Sequence, residues 1–290
     1  MENKSFDYED VFMGVREEKP STYFRSFRED YRLRSLVGAI KLNKGKLLDI
    51  GCGGGILTES LPYYFPKASI FGCDISKTAI KYASKLGSGK VKYSQIQDNR
   101  FPYKDNFFDT CICLDVLEHV PDADFFLQEI KRVLKKGGKV FLIVPCEGER
   151  FTYTWFFQKI RLGQHMTRRY LGHIHPEFTH KTVANLLQKH RFIIKEKRYS
   201  EHLFYQFLQF IVLFLPKIFL EITLGKRTAE EYTNSSLVKS PKSKNDFLLI
   251  IRNLWYRVWD FMMFYPMNWE TVLLRKIPVA AWKLHILAKK

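Results

Sequence analysis

The residues best suited to chemistry begin with Asp49, followed by Gly51, Cys52, Gly53, Gly54 and Gly55. Lys46 to Ile50 reads as a short buried strand and Ile56 to Leu61 as the start of a helix, so the glycines form a strand-to-helix turn. Glycine lets the backbone take φ > 0 and lets a ligand approach bare peptide groups. The spacing says which ligand. A dinucleotide fingerprint needs a small residue where Ile56 stands, and a phosphate loop ends in Gly-Lys-Ser/Thr, which is absent here. The pattern is Asp-x-Gly-x-Gly-x-Gly, with the acid two residues ahead of the first glycine. That acid repels a pyrophosphate and suits a ligand that carries a cation. Asp74 follows Asp49 by 25 residues and closes the next strand, where a carboxylate can accept from ribose hydroxyls. Further on, His119 offers an imidazole of near-neutral pKa, able to take a proton from a hydroxyl.

At Asp49, the glycines and Asp74 the sequence resembles the class I S-adenosylmethionine-dependent methyltransferases. Along Asp115-Val116-Leu117-Glu118-His119 it is similar to their ubiquinone-type O-methyltransferase branch. The resemblance spans about residues 21–200 and implies S-adenosyl-L-methionine as cofactor. It places Asp49, Gly51, Cys52, Gly53 and Gly55 around the methionine moiety, and Asp74 on the ribose. Ile75 would pack on the adenine, and Asp98, with Asn99 beside it, would accept from the adenine amino group. Leu114 and Asp115 would line the far side of the cofactor. Arg28, on a helix ahead of the glycine strand, could meet the methionine carboxylate through a bidentate fork. His119 lies near the expected methyl position as a candidate base. The segment after the fifth strand lies over the substrate in similar enzymes, which makes His173 and His175 candidate substrate contacts. Their spacing alone does not show the three or four converging ligands of a metal site, so no metal is expected.

These side chains need a sheet to hold them. Strands are expected at Ser69 to Cys73, Val91 to Ile96, Phe108 to Leu114 and Lys139 to Val144. Between them come helices opened by Ser76 and Asp122, the second ended by Gly137-Gly138. This βαβ alternation predicts an α/β, Rossmann-like, doubly wound seven-stranded sheet. A helix from Thr182 to His190, a strand from Phe192 to Arg198 and a closing strand from Trp282 to Ala288 complete it. The expected organisation is a polar tail over 1–20, a methyltransferase domain over 21–200, a helical aromatic-rich insertion over 203–275 before the last strand, and the closing strand in 276–290.

The 290-residue chain is 46% apolar and 16% aromatic, enough for a sizeable core, and carries a net charge of +17. Residues 151–200 hold ten Lys/Arg against two Asp/Glu, which suits an anionic partner. The insertion 203–275 adds 15 aromatic residues. Its Leu203 to Pro216 stretch would span roughly 21 Å as a helix, short of the ~30 Å hydrocarbon core. Basic and apolar together, it suits a small-molecule or lipid-linked substrate and an anionic membrane surface, or a helical cap that buries its apolar faces on the sheet or in a dimer; nucleic acid is less favoured, since no RNA-binding module stands out. The five cysteines lack metal spacing, and the N-terminus carries Glu2, Asp7, Glu9 and Asp10 rather than an apolar leader. Both point to a cytoplasmic protein able to sit peripherally on the inner face of a membrane. The oligomeric state is left open by the sequence.

Overall fold

The computed structural model describes residues 31–159, 172–211 and 269–290. Seven strands form one sheet: β1 (Gly45–Ile50), β2 (Ala68–Asp74), β3 (Val91–Gln95), β4 (Phe108–Leu114), β5 (Leu134–Pro145), β6 (Ile193–Ser200) and β7 (Lys283–Lys289). Their order is β3-β2-β1-β4-β5-β7-β6. The first five strands pair in parallel, and β7 runs antiparallel between β5 and β6. The described helices are α1 (Tyr31–Ala39), α2 (Leu61–Tyr64), α3 (Lys77–Leu86), α4 (Ala123–Val133), α5 (Tyr153–Lys159), α6 (His180–Lys189) and α7 (Leu203–Gln209).

The central strands are apolar almost throughout because helices cover both faces of the sheet. Side chains alternate between the faces with period two. Leu48, Ile50, Cys111, Cys113, Leu142 and Val144 face one way and pack with Phe126, Leu127, Ile130 and Val133 of α4 and Val183 and Leu187 of α6. Leu47, Ile70, Ile112, Phe141 and Ile143 face the other way and meet Leu33 and Leu36 of α1, Ile40 and Leu61. The strand order reverses between β1 and β4, so a crevice opens at their carboxyl ends, where open α/β sheets bind ligands.

Most boundaries follow the sequence. Ser76 caps α3 by accepting from Ala79 N at 2.9 Å, and Asp122 caps α4 by accepting from Phe125 N at 2.9 Å. Two expectations need correction. The turn after the glycines does not wind into an α-helix at Ile56: a 3-10 turn over Thr58–Ser60 leads into the single turn of α2. Pro62, in the first turn of α2, lacks the N–H that a helix continuing from Ile56 would need. Gly137-Gly138 does not end α4 either. That helix stops at Val133, and the glycines lie inside β5, where the pairing register shifts between Phe108 and Thr110. Gly137 takes φ +76° in this bulge. A glycine pair serves a helix end and a strand bulge equally well, so the sequence did not separate the two. The tail 1–20, Arg28 and most of the 203–275 insertion lie outside the described residues. No described helix is long and apolar enough to cross a membrane.

His285 of β7 joins three elements. Its Nδ1 lies 2.9 Å from Ser35 Oγ of α1 and its Nε2 lies 2.7 Å from Ser200 Oγ of β6. Burial, then the charge of Lys283, lowers its pKa from 6.5 to about 3. A lowered folded pKa means that the neutral ring contributes stability above about pH 6.5, lost as the pH falls toward 3. Over the first 1.5 pH units below 6.5, the loss is about 2 kcal/mol at roughly 1.36 kcal/mol per unit. Urea unfolding at pH 7.5 and pH 5.0 is expected to show a smaller drop in stability for His285→Gln than for the unmodified chain. Equal drops would remove His285 from the pH dependence.

Candidate functional site

A cavity of about 500 Å³ opens at the carboxyl ends of β1, β2 and β4, within the ~300–1,000 Å³ range of small-molecule sites. Its floor is the glycine turn. Gly51 takes φ +73°, and a Cβ there would stand 2.3 Å from Val116 Cγ2. The N–H groups of Gly51 and Cys52 both donate to Cys73 O, at 2.8 and 3.1 Å, which fixes the turn against β2. Gly53 N donates to Asp74 Oδ2 at 2.7 Å, and Ser76 N donates to Asp74 Oδ1 at 2.9 Å. Asp74 thus reaches the cavity with its carboxylate held by backbone on two sides. Each oxygen keeps further acceptor capacity.

The remaining wall is mostly apolar. Ile75 lies at the mouth, 53% exposed. Ile96, Asn99, Phe101, Val116, Val120 and Phe126 line the cavity, with Asp115 and His119 among them, and the rings of Phe101 and Phe126 meet edge-on at 5.6 Å. Several expected residues lie elsewhere. Asp49 is buried beneath the turn and accepts from Thr58 Oγ1 at 2.7 Å, outside the cavity lining. Burial raises its carboxyl to about 7, against the Thr58 hydrogen bond and with added repulsion from Asp74. Cys52, Gly53 and Gly55 shape the turn from behind; a Cβ on Gly55 would stand 2.5 Å from the Tyr93 hydroxyl. Asp98 is exposed at φ +50°, and it is Asn99 beside it that lines the cavity. Leu114 ends β4 half-buried, outside the lining.

Asp115 sits at φ +56° just past β4. Its Oδ2 is 3.3 Å from Arg32 Nη1, and its Oδ1 is 2.9 Å from Lys283 Nζ. Burial works to raise its pKa, but Lys283 and Arg32 overcome that and hold the carboxyl at about 2. Lys283 also lies 3.2 Å from Glu201, which accepts from the Tyr31 hydroxyl.

His119 ends a 3-10 turn over Leu117–His119. Its Nδ1 is 3.1 Å from Gly172 O and its Nε2 is 3.7 Å from Glu118 Oε1. Burial, then the neighbouring His173, lowers its pKa to about 4, so the ring is neutral at physiological pH. His173 is buried behind His119, with ring centroids 5.0 Å apart, and its Nδ1 donates to Glu147. His175 stacks on Phe178, and its two nitrogens meet Val120 O at 2.8 Å and Glu177 Oε1 at 2.9 Å. Neither His173 nor His175 lines the cavity. Both brace the segment 172–178 against the sheet. Sequence reasoning missed Glu118, Glu147 and Lys283. Nothing in a local pattern joins residues so far apart in the chain; the adjacency of Glu118 to His119 was the one available signal.

The comparisons with known proteins fit this geometry. A family described as "Methyltransferase domain" matches residues 48–142. The ubiquinone biosynthesis O-methyltransferase of Pelagibacter ubique is 38% identical over 117 residues, covering 39% of this chain and 47% of that protein. The protein of the same name from Coxiella burnetii is 32% identical over 155 residues, covering 50% of this chain and 64% of that one. The chain spans about half the length of the curated relatives it matches. Among solved structures, phosphoethanolamine N-methyltransferase 2 of Haemonchus contortus, in complex with S-adenosyl-L-methionine, aligns with 99% of this chain and 61% of its own at 17% identity and TM-score 0.53. The YcgJ protein of Bacillus subtilis aligns over 89% and 97% at 16% identity and TM-score 0.53. The cyclase SpnF does so over 89% and 80% at 20% identity and TM-score 0.54. Identities this low establish the shared fold. Over residues 48–142 the chain is similar to that methyltransferase-domain family, and its sheet shares the fold of these solved structures.

The glycine turn gives a direct test of the cavity floor. Gly51→Ala adds a clash with Val116 to a strained φ, whereas Gly53→Ala, at φ +51°, meets nothing within 4 Å. The first is expected to cost more than the second, with about 1–2 kcal/mol of backbone strain in each. Urea unfolding of the two variants reads the difference. Equal losses would mean that the turn relaxes away from Val116.

Proposed function

We propose that this chain transfers a methyl group from S-adenosyl-L-methionine to a small-molecule acceptor with an oxygen, nitrogen or carbon nucleophile. The observation that carries the reading is Asp74, fixed at the end of β2 on the wall of a cavity floored by the Gly51 backbone. The residues fit the cofactor. A carboxylate pinned by two backbone N–H groups is pre-oriented to accept from a ribose. The side-chain-free turn leaves room for close approach. S-adenosyl-L-methionine supplies a methyl group activated on a sulfonium. The chain's own part is to hold the acceptor in line at near-attack distance and to exclude water with Ile96, Phe101, Val116 and Phe126.

In this reading Asp74 binds the ribose hydroxyls, and Ile75 packs on the adenine with Ile96 and Phe101. Asn99, rather than the exposed Asp98, is the nearer polar group for the adenine edge. Asp115 contributes a fixed negative charge to the cavity wall, suited to the ammonium or sulfonium of the cofactor. His119, the base candidate of the sequence, stands on the cavity wall with Nδ1 on Gly172 O and Nε2 toward Glu118, so it can take a proton from a hydroxyl substrate only if the ring turns. An RNA substrate and a non-catalytic scaffold are less favoured, because the relatives act on small molecules by name and the cofactor-side residues are intact.

The acceptor we favour is amphiphilic or lipid-linked. Leu203, Phe204 and Phe207 on α7, and Trp269 and Leu273 among the helical residues 269–274, are 51–69% exposed. The two helices are joined by Glu270, which accepts from Phe204 N at 3.1 Å and Tyr205 N at 3.3 Å. Their apolar side chains, with the basic segments nearby in sequence, suit a surface that reaches into anionic lipid.

Two measurements test this. Asp74→Ala is expected to weaken S-adenosyl-L-methionine binding by calorimetry by about 1.5–3 kcal/mol for each charge-assisted hydrogen bond lost; unchanged affinity in a folded variant refutes the cofactor assignment. The full chain is expected to float with anionic liposomes at low salt and less at high salt, about 1 kcal/mol of attraction being supplied by each basic residue near the surface. A chain that ignores anionic liposomes at low salt has no such surface.

A further inference from the structure

Behind His119, away from the cavity, Glu118 is 1% exposed, and neither of its carboxylate oxygens accepts a hydrogen bond from a described residue. Two imidazole nitrogens face it instead. His119 Nε2 stands 3.7 Å and His173 Nε2 3.9 Å from Glu118 Oε1, both beyond hydrogen-bond range. One donor atom from each of the three residues lies within 4.8 Å of the other two.

The far sides of both rings are already anchored. A carbonyl oxygen only accepts, so the Nδ1 of His119 carries the hydrogen that meets Gly172 O. The Nδ1 of His173 is held by the buried carboxylate of Glu147. In that tautomer each Nε2 presents its lone pair toward Glu118. Metal-ligating histidines are oriented in this way, by a carbonyl or a carboxylate on the second nitrogen. Backbone fixes the two segments against each other as well, since Ile174 N donates to Glu118 O at 3.0 Å.

We propose that Glu118, His119 and His173 form a binding site for a borderline transition-metal dication, zinc in the first place. Two neutral imidazoles and one carboxylate are nitrogen and oxygen donors of the kind zinc takes, and such a set is a poor match for magnesium or calcium, which prefer oxygen alone. Ligands at ~2.0–2.1 Å from a tetrahedral zinc stand about 3.3–3.5 Å apart, so the three groups need only draw in slightly. The local charge agrees. Among the described residues, Asp115, Glu118, Glu147 and Glu201 are gathered around two cationic side chains, Arg32 and Lys283. Three protein ligands leave a coordination position open. The site lies directly behind the cavity wall that His119 forms. An imidazole that binds the ion through Nε2 does not also take a proton there, so with the ion bound the base role of His119 falls away. The metal site stands independently of the methyl-transfer reading.

The test uses the full chain, stripped with a chelator and dialysed against zinc. One zinc per chain is expected by elemental mass spectrometry after gel filtration. Glu118→Gln and His173→Gln, each checked for folding by circular dichroism, are expected to weaken zinc binding at least about a hundredfold, and Glu147→Gln about 10–100-fold. His190→Gln, which removes a largely buried histidine remote in sequence from the three ligands and paired with Asp124 at 2.7 Å, is the control and is expected to bind as the parent does. Cobalt loading of the unmodified chain needs no variant and is expected to give the intense visible bands of a four- or five-coordinate site. A stripped chain that takes up no stoichiometric zinc, a cobalt spectrum like that of the hydrated ion, or variants that bind as tightly as the parent each overturn the proposal. S-adenosyl-L-methionine binding, measured by calorimetry on the same zinc-free sample, separates a failure of the metal site from a failure of the cofactor reading.

Discussion

Asp115 cannot be held where it is without two cations. Its side chain is half-buried just past the end of β4, with Oδ1 turned away from solvent. Taking such a group out of water costs several kcal/mol unless it is paired. Arg32 from α1 and Lys283 from β7 provide the pairing. They come from the two ends of the described chain, so one ion-pair knot closes the domain across its length. Lys283 is itself buried, and its second partner, Glu201, accepts from Tyr31 of α1. The helix before β1, the central strand and the last strand are therefore interdependent at the mouth of the crevice. Losing Lys283 would leave Asp115 with Arg32 alone and Glu201 with the Tyr31 hydroxyl and no cation.

The same stretch of backbone serves two neighbourhoods. From Asp115 to Val120 the chain turns over the top of β4. Asp115, Val116, His119 and Val120 face the cavity, while Leu117 and Glu118 face inward. Because side chains on a tight turn diverge, adjacent residues reach opposite sides. Gly51 has no side chain because Val116 occupies the space that a Cβ would take. Behind the turn, Glu118 meets the segment that carries His173, tied to it by Ile174 N and Gly172 O. His119 stands between the two neighbourhoods and is the route by which one can influence the other.

The strands were legible because a doubly covered parallel sheet leaves its mark as apolar runs, as in Phe108 to Leu114 and Val140 to Val144. Asp74 was legible because its place at the end of the second strand is set by topology, and the caps Ser76 and Asp122 because capping is local. Asp49 was read as a ligand contact, yet Thr58 holds it beneath the turn. The spacing located Asp49 in the motif without showing which way its side chain points. The glycine pair after α4 was ambiguous for a similar reason: a helix end and a strand bulge both need φ > 0. Contacts between distant segments left no trace in sequence. Glu118 with His173, Glu147 with His173 and Asp115 with Lys283 are products of tertiary packing alone.

The region matched by the methyltransferase family ends at residue 142, and that boundary separates two kinds of information. Gly51, Asp74, Asn99 and Asp115 lie inside it and line the cavity. Glu147, His173, Glu201 and Lys283 lie outside it, yet they set the charge and the ring orientations around Asp115 and His119. A cyclase shares the fold, so the sheet does not determine the reaction. What distinguishes this chain must come from the later segments that pack onto Asp115, Glu118 and His119. Those segments bring more acid than base into a buried space, and a buried acid demands either a proton or a cation. Burial pushes the Glu118 carboxyl toward its protonated, uncharged form, whereas a dication would place net positive charge behind the His119 wall.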